Sequence, residues 1–263
     1  MRLALAQMEI TYDDAEANLG KMRRFIARAK KRKADVVVFP EDSLSGPVRG
    51  RKEHVDGNGL SRKRLSSLAR SGRIDVVGCF IESVEGRWLN TACYFDRSGR
   101  LLGEYRKINL WHGERQYISP GKDVRVFDTR FGKAGLAICW DLANPLLFRR
   151  MAGLGARVIF VPSFWSDAGI SNYRYESRNI DSLCFVRALE NECAIAYANA
   201  AGSYRPGDSL IGHSQVTVPI RGALKKAAHN RETLIVADVP EAPLARAAKV
   251  YKIRKDILSG YPG

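Results

Sequence analysis

The sequence predicts an α/β protein in which two mixed sheets face each other and helices cover their outer sides, a four-layer α-β-β-α sandwich. Strand-like and helix-like segments alternate along the 263 residues, which favours parallel strands joined by crossover helices. Antiparallel hairpins interrupt this alternation, as at the turn-forming cluster Asp96–Gly99, so each sheet should be mixed. The segment ADVVVFPE at 34–41 recurs in character as ARVIFVPS at 156–163, which indicates two similar halves.

The elements of the first half follow from apolar runs and turn residues. Leu3–Met8 reads as a short strand, and Asp13 or Asp14 is a suitable cap for a helix that ends near Lys33. Apolar residues at helical spacing give this helix a buried face and leave its cations toward solvent: Met22, Phe25, Ile26 and Ala29. The other predicted elements are the strand Val36–Phe39, the helix Ser61–Arg70, and the strands Ile74–Ile81, Trp88–Phe95 and Leu101–Tyr105.

The second half begins with a predicted long loop over 107–123 and the strand Val124–Phe127. The apolar run at 135–138 then forms a buried strand that leads directly into Cys139, and Pro145 opens the next helix. The remaining expected elements are a strand within ARVIFVPS, a helix that ends at 185–191, and the strands Cys193–Ala198, Gln215–Val218 and Thr233–Val239. Residues 1–240 are expected to form a single domain, with 241–263 as a C-terminal arm of the same domain.

Composition limits the classes of function. No apolar run is long enough to span a membrane, and the apolar N-terminal stretch meets acidic residues too early for a secretion signal, so we expect a soluble, cytoplasmic protein without a membrane partner. The five cysteines lack CxxC spacing and the four histidines lack metal-type pairing, so no disulfide framework, metal or cofactor is expected. The net charge of +15 would suit nucleic-acid binding, but the densest cationic run lies on a solvated helix face and no nucleic-acid motif accompanies it.

Three residues of different chemistry each follow a strand-like run. A mixed sheet could bring the carboxylate of Glu41, the ammonium of Lys107 and the thiol of Cys139 to one edge. Each residue alone has an ordinary explanation, because residues just past strands are usually solvated and free cysteines are often buried structural residues. Their combination is what points to a catalytic site.

The segments FPE, YRKINL…GER…SPG and AICWD, in this order and at these separations, resemble those of the nitrilase superfamily of carbon–nitrogen hydrolases. RALEN at 187–191, AN at 198–199 and GHS at 212–214 extend the resemblance over nearly the whole chain. It implies a Glu–Lys–Cys triad with a second glutamate, formed here by Glu41, Lys107, Cys139 and Glu114. In these roles Glu41 is the base for the thiol, Lys107 and the amide of Trp140 stabilise the tetrahedral intermediate, and Glu114 positions Lys107 or the substrate amino group.

Aromatic residues are the expected substrate-binding residues. Phe164 and Trp165 lie in a stretch that borders the substrate pocket in the family, and Trp140 follows the cysteine directly. Tyr173 and Tyr175 belong to the same stretch, where aromatic packing between loop and helix is an equally good explanation. Many amidase-type members carry an arginine and an aromatic residue after Cys-x-Asp, whereas this chain has LANP there, so no carboxylate-binding arginine can be identified.

The preferred hypothesis is a hydrolase that cleaves a small linear amide or N-carbamoyl compound through a thioester and releases ammonia. One alternative is a nitrilase that converts a nitrile to an acid, because HGER at 112–115 resembles a segment of those members, although Asp141 favours the amide. A different class is a non-catalytic scaffold with the same fold. Against it, a scaffold has no physical reason to keep a desolvated lysine beside a carboxylate and a thiol.

We also expect a homodimer or a higher even-numbered assembly. The helices after Cys139 and Pro162 carry more apolar residues than one inner face needs: Leu147, Phe148, Met151, Leu183 and Phe185. In the family such helices pack across a two-fold axis and C-terminal arms cross to the partner. The arm 241–263, with apolar residues among its cations, is expected to lie along a neighbouring subunit.

Overall fold

Two six-stranded mixed sheets are packed face to face, with helices on their outer sides. The computed structural model describes residues 1–168, 170–205 and 208–258. Within these residues the predicted α-β-β-α sandwich is confirmed.

The described strands are, in chain order, β1 (Arg2–Gln7), β2 (Val36–Val38), β3 (Asp75–Val84), β4 (Arg87–Phe95), β5 (Leu101–Arg106), β6 (Val126–Thr129), β7 (Gly132–Leu136), β8 (Val158–Ser163), β9 (Ala194–Asn199), β10 (Ser203–Arg205), β11 (Asp208–Ser209), β12 (Gln215–Val218), β13 (Gly222–Lys226) and β14 (Thr233–Asp238). The helices are α1 (Ala15–Lys31), α2 (Leu60–Gly72), α3 (Pro145–Gly153), α4 (Tyr173–Asn191), α5 (Glu241–Val250) and α6 (Ile253–Leu258). Short 3-10 helices occupy Lys52–His54, His112–Gln116 and Cys139–Ala143.

The two sheets have matching topologies. The first has the order β14-β1-β2-β3-β4-β5 and the second β13-β12-β9-β8-β7-β6. In each sheet three neighbouring strands run parallel, and the strands at both edges are antiparallel. The repeated sequence segments at 34–41 and 156–163 hold β2 and β8, each the middle one of three parallel strands. The residues that follow these two strands are therefore in equivalent positions, at strand carboxyl ends where ligand sites form.

Both faces of the first sheet are buried. Along β1, Leu3 and Leu5 belong to the core between the sheets, whereas Ala4 and Ala6 pack under the outer helices. Since side chains alternate along a strand, this is the pattern of a middle-layer strand covered on both sides. The apolar face predicted for α1 packs here, with Met22, Phe25, Ile26 and Ala29 all buried.

Several predicted boundaries differ from the structure. Residues 107–123 contain a 3-10 helix, and β6 begins two residues later than predicted. The short strands β10, β11 and β13 were not predicted, because polar segments of this length lack a strand-type apolar pattern. In the arm 241–263 the described part forms α5 and α6, and α6 packs against α3 and α4 of its own subunit.

The predicted exposure of the α3 and α4 residues is largely wrong. Leu147, Phe148 and Met151 are buried in the core of the subunit, and Leu183 is half-buried against it. Phe185 is exposed as predicted, at 49% of its surface. Helical periodicity does not distinguish a face covered by neighbouring elements of the same chain from a face left open, which explains the error.

None of the helices in the described part of the chain is both long enough and apolar enough to cross a membrane.

The core between the sheets gives a test of the fold. Phe160 of β8 is 1% exposed and its ring centroid lies 5.6 Å from that of Tyr94 in β4, across the two sheets. Phe160→Ala should lower the free energy of unfolding by about 3–5 kcal/mol, measured by denaturant titration, because the vacated volume cannot refill. Phe160→Leu keeps most of that volume and should lose less than half as much; equal losses for the two variants would contradict the packing described.

Candidate active site

Glu41 lies buried just past the end of β2. Pro40 precedes it and lacks the N–H needed to continue a strand ladder, so the chain leaves the sheet at this point. Oε1 of Glu41 accepts hydrogen bonds from Lys107 Nζ at 2.8 Å and Asn90 Nδ2 at 2.7 Å. Oε2 accepts one from the backbone N–H of Phe164 at 2.9 Å. Since Phe164 follows β8, this bond joins the ends of the two repeated segments across the sheets.

Lys107 is held by both its backbone and its ammonium group. Its backbone N–H donates to Asn90 O at 2.8 Å, which extends the β4–β5 pairing beyond the end of β5. Nζ donates to Glu41 and to both oxygens of Glu114, at 2.9 and 2.7 Å. Glu114 Oε2 also accepts from the backbone N–H of Trp111 at 2.8 Å, so this carboxylate caps the 3-10 helix His112–Gln116 as well.

The ammonium of Lys107 is only 1% exposed, yet it is charged. Burial alone would lower the pKa of Lys107, but the carboxylates of Glu114 and Glu41 outweigh it and raise this pKa well above its usual value. The site therefore holds a permanent positive charge between two carboxylates.

Cys139 is the first residue of the 3-10 helix that follows β7, and its φ is +47°. This left-handed conformation is uncommon for a residue with a side chain and stores strain. Burial and the charge of Glu41 raise the pKa of the Cys139 thiol well above its usual value, while Lys107 acts in the opposite direction. At neutral pH the sulfur is thus a thiol, which needs a base before it can attack.

Asp141 holds the turn at Cys139 in place. Its Oδ2 accepts from the Ile138 N–H at 2.9 Å and from the Tyr105 hydroxyl at 2.8 Å. Its Oδ1 accepts from the backbone and side-chain N–H groups of Asn109, both at 2.9 Å. Burial raises the pKa of Asp141, and the hydrogen bonds from Ile138 and Asn109 act in the opposite direction. The carboxylate therefore ties the strained turn to the segment that follows β5.

The four predicted catalytic residues meet in one cavity of about 590 Å³, whose lining includes Glu41, Lys107, Glu114 and Cys139. The three predicted substrate-binding residues also line it: Trp140, Phe164 and Trp165. Trp140 lies between two other indoles, with ring centroids 4.6 Å from Trp111 and 5.1 Å from Trp165, so one wall of the cavity is aromatic.

The two tyrosines of the same stretch are not among the described residues that line the cavity. The hydroxyl of Tyr173 donates to Ile211 O at 3.0 Å, and Tyr175 is 52% exposed. The aromatic stretch after β8 is therefore divided: its first two residues face the cavity, and the tyrosines of α4 do not.

Asn90 was missed by the sequence analysis. Its Nδ2 donates to Glu41 and, at 3.3 Å, to Glu114, while Oδ1 accepts from the Cys79 thiol at 2.9 Å. The available signal was its position in β4, two residues before Ala92, which places it on the buried face between the sheets. A polar residue in register with core residues needs hydrogen-bond partners, and here the partners are the site carboxylates.

Among the described residues, no three His, Cys, Asp or Glu side chains are arranged to hold a metal ion.

The chain is similar in sequence and in fold to known proteins. Residues 2–249 match a family described as carbon-nitrogen hydrolase. A 2-oxoglutaramate amidase from Bacillus subtilis is 28% identical over 264 residues, which cover 97% of this chain and 98% of that protein. The solved structure of Nit3 from Saccharomyces cerevisiae, a member of branch 10 of the nitrilase superfamily, is similar with a TM-score of 0.84 at 26% identity, covering 95% of this chain and 93% of that one.

A second solved structure, of an amidase from Nesterenkonia sp. AN1, has a TM-score of 0.80 at 26% identity and covers 96% of this chain and 98% of that one. It is a glutamate-to-glutamine variant in which acrylamide has undergone Michael addition at the active-site cysteine. Because the family match spans almost the whole chain and the fold agrees with solved members, this protein belongs to the carbon–nitrogen hydrolases of the nitrilase superfamily and is an enzyme of that class.

Proposed function

We propose that the enzyme hydrolyses a small linear amide or N-carbamoyl compound through a thioester on Cys139 and releases ammonia. The observation that carries this proposal is the buried Glu41–Lys107–Glu114 ion network in the same cavity as the Cys139 thiol. A general base, a fixed cation and a nucleophile are the groups that acyl transfer requires.

In the first step Glu41 takes the thiol proton while the sulfur forms a bond to the substrate carbon. Oε1 of Glu41 already accepts from Lys107 and Asn90, whereas Oε2 accepts from the Phe164 N–H and keeps a lone pair for the proton. The electron pair of the C=O bond moves to the oxygen. Lys107, whose ammonium contacts one oxygen of Glu41 and both oxygens of Glu114, gives up one of the two Glu114 contacts and donates that N–H to the oxyanion, which also accepts from the backbone N–H of Trp140.

In the second step the tetrahedral intermediate collapses. The C–N bond breaks as Glu41 returns the proton to the leaving nitrogen, and ammonia departs. Glu41 then takes a proton from water, whose oxygen forms a bond to the thioester carbon. The C–S bond breaks, the sulfur regains a proton, and the acid product leaves.

Two of the relatives described above favour an amide as the substrate. One is named for the amide 2-oxoglutaramate, and the active-site cysteine of the Nesterenkonia amidase carries covalently added acrylamide. Both facts are properties of those proteins. For this chain the amidase names favour an amide over a nitrile, and the acrylamide adduct favours a nucleophilic role for Cys139 over a scaffold.

We further propose that the enzyme is a homodimer or a higher even-numbered assembly whose contact includes the outer face of α3 and α4. Large apolar side chains are exposed on this face: Leu146 at 64%, Phe185 at 49% and Val186 at 41%. Such side chains are stabilised when a second copy covers them.

Replacing the nucleophile tests the covalent mechanism. Cys139→Ala should lower turnover by roughly 10⁴-fold or more while circular dichroism stays unchanged, because no other group can form the thioester. The assay measures ammonia from primary amides, N-carbamoyl compounds and small nitriles. Cys193→Ala, at a buried cysteine of the core, is the matched control and should keep its turnover. Turnover by purified Cys139→Ala of a substrate that the wild type cleaves would end the covalent proposal.

The labelling of Cys139 by iodoacetamide separates an enzyme from a scaffold. Its thiol lines the cavity, so mass spectrometry should show faster labelling at Cys139 than at the fully buried Cys79 and Cys184. Because the pKa of Cys139 is raised, the thiol stays protonated at a pH where a free cysteine has ionised. The labelling rate should thus keep rising above about pH 8.5, the pKa of a free cysteine. Labelling no faster than at Cys79 or Cys184 would favour the scaffold.

The assembly is tested by the mass of the protein in solution. Light scattering at micromolar concentration should give an even multiple of the subunit mass, and Phe185→Glu should shift it toward the monomer because the charge lies in the contact.

A chain ending at Pro240 should lose stability and activity together, since α5 and α6 pack on the subunit and Glu241 pairs with Arg157. A monomeric full-length protein would contradict the proposed assembly, and a shortened dimer with unchanged activity would contradict the role of the C-terminal arm.

A further inference from the structure

Asp42 is a second carboxylate beside the proposed catalytic base. It directly follows Glu41, is 9% exposed, and lines the same cavity as Cys139. Its φ of +56° places it in the left-handed region, which is unusual for a residue with a side chain. The mechanism proposed above gives this residue no role.

The backbone of Asp42 is fixed, but its carboxylate has no partner among the described residues. The carbonyl oxygen accepts from the Gly46 N–H at 2.7 Å. No hydrogen bond or ion pair of the described chain reaches the carboxylate, whereas Glu41 and Glu114 share Lys107. A buried carboxylate without a partner is costly, so a partner from outside the chain would stabilise it.

The charges around the cavity indicate whether a cationic or an anionic ligand is favoured beside Asp42. Its lining contains three carboxylates, those of Glu41, Asp42 and Glu114, and two strong cations, Lys107 and Arg49. Lys107 is engaged by two of the carboxylates, and the exposed Arg49 lies over the ring of Tyr12, with its guanidinium carbon 5.3 Å from the centroid. Burial and the charges of Glu41 and Glu114 raise the pKa of Asp42 well above its usual value. The vicinity of Asp42 is thus deficient in positive charge.

The aromatic wall of the cavity also favours a positively charged ligand. Trp111, Trp140 and Trp165 lie in sequence along it with neighbouring centroids 4.6 and 5.1 Å apart. The faces of indole rings attract cations, and this attraction grows when water is excluded. A carboxylate and an indole wall in one cavity are the two groups that bind organic ammonium ions.

We propose that Asp42 is a specificity-determining residue that binds a protonated amino group of the substrate, so that the enzyme prefers amides carrying a cationic amine. This inference rests on the proposed amide hydrolysis and names the substrate class for the same cavity. The amine and the Asp42 carboxylate form a charge-assisted hydrogen bond, while the scissile carbon lies at Cys139. Amides that carry a carboxylate in place of the amine are disfavoured by repulsion from Asp42.

The experiment compares three amides of equal length: an ω-amino alkanamide, the neutral alkanamide and the ω-carboxy alkanamide, each over several tether lengths. The wild type should show a kcat/KM for the amino compound roughly tenfold or more above that for the neutral one, the size expected of one charge-assisted hydrogen bond. The carboxy compound should be the poorest substrate. In Asp42→Asn, which keeps the shape of the side chain, the preference for the amino compound should fall to within about threefold, mainly through a higher KM.

Asp128→Asn removes the same charge from an exposed residue of β6 and should leave all three values unchanged. If the wild type turns over neutral amides without preferring the amino compound, or if Asp42→Asn keeps the preference, the role of Asp42 is overturned and amide hydrolysis stands. A preference for the neutral compound that disappears in Asp42→Asn would show a protonated Asp42 donating to an uncharged group, which also overturns the proposal.

Binding measured without turnover separates this inference from the proposed function. Calorimetric titration of the wild type with an alkylammonium ion should show binding that weakens roughly tenfold or more in Asp42→Asn. Equal binding by both proteins overturns the role of Asp42 whatever the assays show. Failure to cleave any amide, together with Asp42-dependent binding of the ammonium ion, would overturn the hydrolase proposal and leave the cation site.

Discussion

The ammonium of Lys107 between two carboxylates is the interaction on which the site depends. Removing each ion from water costs several kcal/mol, and only short, well-directed contacts offset this cost. Here the contacts are 2.8 Å to Glu41 and 2.7 Å to Glu114. Without Lys107, these carboxylates would both approach the side-chain amide of Asn90 and repel each other. The pairing of β4 with β5 sets the position of Lys107 relative to Asn90. The site therefore depends on this pairing as much as on the charged groups.

The site also requires that the two sheets pack in one relative position. Glu41 and Lys107 extend from the first sheet, and Cys139 and Phe164 extend from the second. Among the hydrogen bonds that cross between them, the Phe164 N–H donates to Glu41 and the Tyr105 hydroxyl donates to Asp141. A shift of one sheet along the other would break both bonds and move the thiol away from its base. The large core between the sheets thus serves to position the reacting groups as well as to stabilise the fold.

Most of the architecture was predictable because strands buried on both faces leave a clear apolar pattern. The two repeated segments correctly identified the middle strands β2 and β8, and the sandwich followed. The convergence of Glu41, Lys107 and Cys139 was predictable in outline, since each follows a strand. The contacts of Asn90 were not, because they depend on the register between β4 and β5, which a single sequence does not specify. The burial of Phe148 was missed for a related reason: helical spacing does not say which elements cover a helix.

The backbone supplies a further constraint on the two sides of the cavity. Cys139 on one sheet and Asp42 on the other both adopt left-handed conformations, each costing about 1–3 kcal/mol for a residue with a side chain. Such strain persists only where surrounding bonds fix it. At Cys139 the bonds come from Asp141, which accepts four hydrogen bonds, and at Asp42 the carbonyl oxygen accepts from the Gly46 N–H. An unstrained backbone at either position would turn the chain differently just past the strand and change where its side chain lies relative to the cavity. At Cys139 and Asp42 the hydrogen bonds of the surrounding chain thus offset the strain and fix the direction in which the backbone leaves the strand.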